Sequence, residues 1–453
     1  MKHLALLALL SSAAVMAAPQ LTAEQARQFS RTEVLGYAGE PGHETADRWD
    51  PLAEAFPTAR PDYVVDGSAK EDGRRRFRTI QAAVNQAIVD AARPRVRILV
   101  QPGVYRELVY VPASPTTAIT LEGATTDASD TVISAGLDAA VTGEAYAQQY
   151  GAQFAGMAPA IQAMHESLKK RPMLGTFGSY TVWVRNAGFQ ARNITFENAY
   201  RRPAAAPCVD DCRATPQVSH QAVALAVDGA DKARFENVRL LGLQDTLFMK
   251  AQDGGRTARV FFDRSYIEGD VDFIFGDATA FFYRSEIRQL GGREASYAGA
   301  PDTNLKTRYG LVFEHCRFTS QGGSRFYLAR QWFHNQKCTP FGKMELPGYR
   351  CVLGETSAYT APVGTINKAV LETVGKMVVL NSEIGPHIDK ARPWSDWNQS
   401  GKLSFRPVQF DSDDYWRHLL EVGIDPVKDL GYAGRPNPPL IFLGEYNNQY
   451  GAN

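Results

Sequence analysis

One four-residue pattern returns six times in this chain: Asn193-Ile194-Thr195-Phe196, Asn237-Val238-Arg239-Leu240, Arg264-Ser265-Tyr266-Ile267, Arg284-Ser285-Glu286-Ile287, His315-Cys316-Arg317-Phe318 and Asn381-Ser382-Glu383-Ile384. Each copy reads polar, small or apolar, exposed, large apolar, which is the period-two alternation of a half-buried strand. The copies end 44, 27, 20, 31 and 66 residues apart, spacings we read as mostly one to three coils of roughly 20 to 30 residues with loop insertions. A β-sandwich would also give short alternating strands, but it would place hairpin signals such as Asn-Gly between neighbours, and these are nearly absent. The expected fold is therefore all-β, a right-handed parallel β-helix whose strands stack about 4.8 Å apart.

Around that solenoid the chain divides into three parts. Residues 1–17 read as a secretory signal peptide, with Lys2 and His3 ahead of the apolar Leu4 to Leu10 run and a Val15-x-Ala17 cleavage pattern. Export, to the periplasm or beyond, with cleavage near Ala17 is expected. Residues 18–62 form an N-terminal extension, polar and Pro-rich, with a helix-like stretch from Thr22 to Ser30. Residues 63–453 are expected to form one parallel β-helix catalytic domain, since elongated β architectures run long as single units. Within it, Thr79 to Ala92 carries Ile80, Ala83, Val84, Ala87 and Ile88 at helical spacing, a short capping helix over the open end of the coil. Two insertions interrupt the coils: the helical-looking Asp138 to Lys170, and Gln331 to Thr365, rich in Pro and Gly. After Gly385 a less regular tail with Trp394, Trp397, Tyr415 and Trp416 is expected to pack back on the solenoid.

Composition excludes several classes. With 44% hydrophobic and 22% charged residues the chain is globular rather than disordered. The formal net charge of zero gives no basic field for nucleic acid, and leaves local binding of an acidic polysaccharide open. No segment after the leader reaches roughly 18 uninterrupted apolar residues, so no membrane span is expected, and the protein is expected to be a monomer. Of five cysteines, Cys316 sits in a strand-like run and reads as a small core residue. The loop-borne Cys208 with Cys212, and Cys338 with Cys351, are the natural disulfide pairs in an oxidising compartment. No His stands at ligand spacing beside either pair, which weakens a metal reading.

The chemistry concentrates in two stretches, Gly242-Leu243-Gln244-Asp245-Thr246-Leu247-Phe248 and Asp270-Val271-Asp272-Phe273-Ile274-Phe275-Gly276. Each sets a carboxylate inside an apolar, strand-like run, and Asp245 and Asp272 are 27 residues apart, about one coil. Gln221 lies 24 residues before Asp245, so stacked coils would present all three on one face. Paired carboxylates in a half-dry groove are a catalytic arrangement.

These stretches fall among eight ordered segments: Gly103-Val104-Tyr105-Arg106-Glu107, Gly175-Thr176-Phe177-Gly178-Ser179, Asn193-Ile194-Thr195-Phe196-Glu197-Asn198, Gln221-Ala222-Val223-Ala224-Leu225, Gln244-Asp245-Thr246-Leu247, Asp272-Phe273-Ile274-Phe275-Gly276, Tyr327-Leu328-Ala329-Arg330-Gln331-Trp332 and Glu445-Tyr446-Asn447-Asn448. Together, from about Tyr63 to Asn448, they resemble the pectin methylesterase (pectinesterase) family. The resemblance implies hydrolysis of galacturonate methyl esters in pectin on a right-handed parallel β-helix, without a metal or organic cofactor. It implies Asp272 as nucleophile, Asp245 as general acid, Gln221 and Gln244 as oxyanion donors, Arg330 as the residue orienting Asp272, and Trp332 as a sugar-stacking wall.

The physics is coherent with those roles. Asp272, followed by Phe273, Ile274 and Phe275, is partly desolvated and needs a partner such as Arg330; a second carboxyl one coil away would then keep its proton. A carboxylate nucleophile gives an anhydride that water hydrolyses, with Asp245 turning from acid to base. Phe177, Phe248 and Phe275 read equally as core or cleft; with Thr176 they complete the expected substrate-binding set. Trp394 and Trp397 are open in the same way. His220 beside Ser219 has no matching acid and no Gly-x-Ser-x-Gly elbow, so it reads as structural. Three positions depart from the family pattern: Ala329 stands for Gly, Gln331 for Pro, and Asp277 for a commoner Asn, adding a charge near the nucleophile. Other readings of the same scaffold are a glycan depolymerase or calcium-dependent lyase, which would leave new reducing ends or unsaturated products, a non-catalytic polysaccharide-binding protein, and an esterase for a different acyl ester. The Gln pair and the lack of an acidic calcium cluster argue against the depolymerases.

Overall fold

A computed structural model describes residues 18–91, 93–200, 221–333, 339–341, 351–354, 364–397 and 406–451. Within them the strands pair almost wholly in parallel and stack coil on coil from Tyr63–Val65 to Gln449–Tyr450. The signal-peptide expectation, Ser219, His220, Cys208, Cys212 and Cys338 lie outside the described residues, as does much of the 331–365 insertion. Cys351 is disulfide-bonded. Cys316 is a buried free thiol, as its strand position suggested.

One face of the coil is an eight-stranded parallel sheet: β1 (Val109–Val111), β2 (Tyr180–Val184), β3 (Val223–Asp228), β4 (Leu247–Lys250), β5 (Ile274–Gly276), β6 (Ala295–Pro301), β7 (Arg325–Arg330) and β8 (Trp394–Ser395). The other faces meet at the corner that the recurring pattern marks. In Asn193, Asn237, Arg264, Arg284, His315 and Asn381 the backbone is left-handed, with φ between 47° and 54°. Asn tolerates that region better than most residues, and Asn237 Nδ2 donates to Asn193 Oδ1 at 2.9 Å, as Asn447 does to Asn381. In three of the six copies the next position is a serine. Ser265, Ser285 and Ser382 accept through Oγ the amide N–H of Val238, Ser265 and Cys316 in the preceding coil, at 3.0–3.3 Å. The last position points into the core.

Register corrects the coil count. Ile194 pairs with Val238, Leu240 with Ile267, Ile267 with Ile287, Ile287 with Phe318, and Phe318 with Ile384. Every interval is thus one coil; the 44- and 66-residue spacings are single coils lengthened by excursions, because an insertion at a corner leaves the strand ladder untouched.

Inside the coil, Phe235, Phe262, Phe282 and Phe313 occupy one strand position in successive coils and stack at 4.6, 5.0 and 4.4 Å with rings within 11° of parallel. The runs Arg259–Asp263 and Thr279–Tyr283 lack strict alternation because their outer side is covered too. Phe261 and Phe281 pack outward with Phe29, Leu35 and Trp49 of the N-terminal segment. The helix-like start there is a short helix, Ala23–Arg27, with a capping box in which Thr22 and Gln25 exchange side-chain and backbone bonds. The Ile80–Asp90 helix is N-capped by Thr79 and buries Ile80, Ala83, Val84 and Ala87. Glu107 of the Gly-Val-Tyr-Arg-Glu segment accepts the first two N–H groups of that helix, from Ile80 at 2.8 Å and Gln81 at 2.9 Å. The 138–170 insertion forms two helices, Gly143–Tyr150 and Pro159–Lys169. The tail is more regular than expected: Trp394–Ser395 adds the last strand of the eight-stranded sheet, and Leu443–Tyr446 with Gln449–Tyr450 closes the final coil after a helix at Ser412–Glu421. Among the described residues no helix is long and apolar enough to cross a membrane.

Candidate active site

Asp245 and Asp272 do not lie inside strands, as their apolar surroundings suggested. Both sit in the turns that lead into β4 and β5, with left-handed backbone at φ 67° and 51°. The two turns stack: Asp245 N–H donates to Val271 O at 3.1 Å, and one coil earlier Ala222 N–H donates to Gln244 O at 3.0 Å. Since Phe248 pairs with Phe275, the two carboxylates hold the same place on neighbouring coils, which stack about 4.8 Å apart. On the coils before them, Asn198 Nδ2 lies within hydrogen-bond distance of Leu137 O, Ser179 O and Val223 O, at 2.7, 3.2 and 3.2 Å.

Each carboxylate is 7% exposed, yet their surroundings differ. Asp272 receives a two-pronged ion pair from Arg330, with Nε to Oδ1 at 2.9 Å and Nη2 to Oδ2 at 2.7 Å. The guanidinium is itself clasped between Tyr297, 4.0 Å from its ring centre, and Trp397, 4.4 Å. Among the described residues no such ion pair faces Asp245. Burial, and after it the charge of Asp272, push its pKa well above the ordinary carboxylate range, against the opposing pull of Arg293 and Arg330. One carboxyl is paired as an anion and the other held toward its acid form, the division of labour an acid and a nucleophile require.

The two glutamines flank the pair. Gln244 is half-exposed, and its Oε1 accepts from Arg293 Nη1 at 2.9 Å. Gln221 is half-buried with a buried Oε1 that has no hydrogen-bond partner among the described residues, and its backbone carbonyl accepts from Ala139 N–H at 2.9 Å.

The aromatic residues form a second group, one strand length away. Phe248 and Phe275 stack at 4.9 Å and are almost fully buried, so they support the wall rather than form its face. Phe177, 39% exposed, lies 5.0 Å from Phe248 and 6.2 Å from Trp332, which is half-buried and meets Phe275 edge-on at 6.3 Å. Thr176 opens the short turn that carries Phe177. A cleft of about 790 Å³ runs along this wall, lined by Phe177, Phe248, Trp332, Asp228, Lys250 and Asp302 among others. Asp245, Asp272 and Arg330 do not line it; the two carboxylates stand in the turns three residues before Phe248 and Phe275, while Arg330 follows Ala329, whose strand partner Gly299 pairs with Ile274. Among the described residues no three His, Cys, Asp or Glu side chains converge to hold a metal ion.

Two departures from the family pattern have structural explanations. Gln331 is buried and bonds to Gly375 O, Gln409 O and Gln409 N–H at 2.9–3.1 Å, fastening the tail under the site while leaving the Arg330 fork closed. Asp277 accepts the Ala251 N–H at 2.7 Å, and burial raises its pKa, which works against the added charge expected of it. Asp270, Arg293 and Tyr297 were given no role, and Trp397 was read only as core or cleft; Asp270 stands inside the Asp272 stretch, whereas the fold alone brings Arg293, Tyr297 and Trp397 from separate coils to the carboxylates.

The Pectinesterase family profile matches residues 154–337. A protein of Ralstonia solanacearum named pectinesterase is 32% identical over 83% of this chain and 83% of its own. Pectinesterase B of Pectobacterium parmentieri is 31% identical over 83% of this chain and 88% of its own. An Escherichia coli protein named putative acyl-CoA thioester hydrolase YbhC is 29% identical over 92% of this chain and 88% of its own. Among solved structures, that of Escherichia coli YbhC superimposes with a TM-score of 0.69 at 27% identity, covering 96% of this chain and 95% of that one. Rice weevil pectin methyl esterase gives 0.68 at 25%, covering 96% and 98%.

Proposed function

The chain belongs to the pectinesterase family, and on that premise we propose that it is a carboxylic ester hydrolase removing methyl esters from galacturonate units of pectin, with Asp272 and Asp245 as its working pair. The observation that carries the assignment of roles is the contrast between them: Asp272 forked by Arg330, and Asp245 one coil away held toward its acid form.

In this reading the free face of the Asp272 carboxylate attacks the ester carbonyl carbon. The carbonyl π pair moves onto oxygen, where the amides of Gln244 and Gln221 donate to it. As the tetrahedral centre collapses, the methoxyl group leaves with the Asp245 proton as methanol, giving an anhydride on Asp272. Water then attacks the anhydride while Asp245, now anionic, takes its proton, and the free galacturonate carboxylate departs. Arg330 keeps Asp272 in line throughout, and Phe177 with Trp332 offers faces for sugar rings. The chemistry calls on no metal or organic cofactor. We read the enzyme as an exported monomer, its leader being residues 1–17, its coil right-handed and its open end covered by the Ile80–Asp90 helix.

The deciding experiment is a methanol assay on methylated pectin with wild type and Asp272→Asn side by side. Wild type releases methanol and the variant loses at least about a thousandfold of the rate; a folded wild type that releases none rejects the reading. The similarity to the Escherichia coli protein named a thioester hydrolase favours one alternative, the same carboxylate chemistry on an acyl thioester. Thiol release from acyl-CoA in the absence of methanol release from pectin would select it.

A further inference from the structure

Beside the carboxylate pair lies a second, buried ion pair that the reaction as drawn does not use. Arg293, at 8% exposure, donates through Nε to Asp270 Oδ2 at 2.9 Å, and Asp270, at 3%, also accepts Val271 N–H through Oδ1 at 2.7 Å. The remaining prong, Nη1, reaches Gln244 Oε1 at 2.9 Å. An arginine has five donors and no acceptor, so the amide atom facing it must be the oxygen. The Gln244 nitrogen is thereby turned the other way, and among the described residues it has no hydrogen-bond partner.

We propose that Arg293, anchored by Asp270, is a positioning residue that fixes the Gln244 carboxamide with its N–H donors toward the reacting carbonyl. This rests on the reading of Gln244 as an oxyanion donor. An unclamped glutamine has two amide orientations of similar energy, and one of them points a lone pair at the developing oxyanion. A clamp removes that choice before substrate arrives, which is where preorganised donors gain over water. The clamp also has to be electrically quiet, because Asp245 must keep its proton. A lone guanidinium here would pull the Asp245 proton off, and Asp270 opposes it: the two act on Asp245 in opposite senses. The pair therefore orients an amide at little electrostatic cost to the acid.

The test removes the pair together, Arg293→Met with Asp270→Asn, so that no buried charge is left alone. The expected result is a kcat on methylated pectin lower by about tenfold to a hundredfold, with KM within about twofold. In a Gln244→Ala background the same double substitution should cost nothing further, because the clamp has lost its object. Losses that multiply fully across that cycle, or an unchanged kcat, overturn the proposal. A second readout needs no turnover: the side-chain ¹⁵N order parameter of Gln244, high in wild type, should fall in the double variant, with the buried Gln190, whose Oε1 accepts from Thr120 Oγ1 at 3.0 Å, as internal control. A Gln244 amide that stays rigid without Arg293 overturns the clamp whatever the substrate proves to be. A wild type that releases no methanol while this amide loosens in the variant rejects the ester reading and leaves the clamp standing.

Discussion

Asp245 and Asp272 are the same residue type in the same turn of neighbouring coils, and what separates them is one fork of hydrogen bonds. Because burial and the Asp272 charge raise the pKa of Asp245, its acid form persists above the usual carboxylate range and is lost as pH rises through the elevated value. In the proposed mechanism acylation needs that acid form, so kcat/KM should carry an alkaline limb set by Asp245 in the free enzyme. In Asp245→Asn the limb should vanish and the remaining rate should be lower by about a hundredfold to ten-thousandfold; a pH–rate profile from pH 4 to 10 checks both. The Arg330 fork makes a second prediction. Its guanidinium is held between two aromatic faces, and each such contact is worth about 0.5–2 kcal/mol when partly desolvated. Trp397→Ala should therefore cost between about twofold and thirtyfold in kcat/KM, measured by methanol release, while circular dichroism stays native. The two aspartates were readable as neighbours because each carries its own flanking pattern and their spacing equals a coil. Arg293 and Trp397 were not readable. Arg293 sits in an unpatterned loop 23 residues after Asp270, and Trp397 lies beyond a long insertion, so nothing local marks which coil either side chain will face.

The recurring corner explains why the solenoid was legible. A left-handed residue, a small or apolar residue that in three copies is a serine closing the gap in the ladder, an outer position and a core position recur from coil to coil, so they surface as a pattern in the sequence. Coil length was misread because nothing at the corner fixes the length of the excursions between corners. At Asn237 the side chain also donates to Thr126 O at 2.8 Å, besides its bond to Asn193. Asn237→Ala loses both bonds and places Cβ in an unfavourable region, for a cost of about 2 kcal/mol. Asn237→Gly loses the bonds but relieves the backbone, and should cost about half as much; urea unfolding of the two variants separates the contributions. The Ile80–Asp90 helix supplies a pH dependence. Burial lifts the Glu107 pKa to about 7 in spite of the two N–H groups that favour its anion. A carboxyl raised in the fold contributes stability that is whole below its unfolded value of 4.5 and is lost as pH rises through about 7. The loss is on the order of 3 kcal/mol. Glu107→Gln should lower the melting temperature in acid and remove this decline between pH 4.5 and 7, read by thermal unfolding at a series of pH values.

The N-terminal extension turns one outer face of the coil into an interior. Phe261 and Phe281 point out of the solenoid and would be exposed on a bare coil; Phe29, Val34, Leu35 and Trp49 cover them. A strand buried on both sides reads as a continuous apolar run, which is why Val260-Phe261-Phe262 and Ala280-Phe281-Phe282, like Leu311-Val312-Phe313 and Met377-Val378-Val379 on the following coils, show no alternation. The extension is held by one wholly buried arginine that belongs to the coil. Arg259 donates to Asp231 through Nε and Nη2, to Asp47 Oδ2 through Nη2 at 2.7 Å, and to Leu35 O through Nη1 at 3.0 Å, so its five donors span both parts of the chain. A guanidinium buried this deeply is tolerated because its donors are answered, and removing it takes the partner from the largely buried Asp231 and from the Leu35 carbonyl, while Asp47 keeps only its pair with Lys232. Arg259→Met should destabilise the protein by about 3–5 kcal/mol. The damage should begin in the extension rather than in the coil, since the turns into β4 and β5 that carry Gln244, Asp245 and Asp272 lie on a different face from Arg259. Limited proteolysis should therefore cut the variant first within residues 18–62, at temperatures where methanol release and far-ultraviolet dichroism remain near wild type. Simultaneous loss of the extension, the activity and the strand signal would show instead that the covering segment and the coil unfold as one cooperative unit.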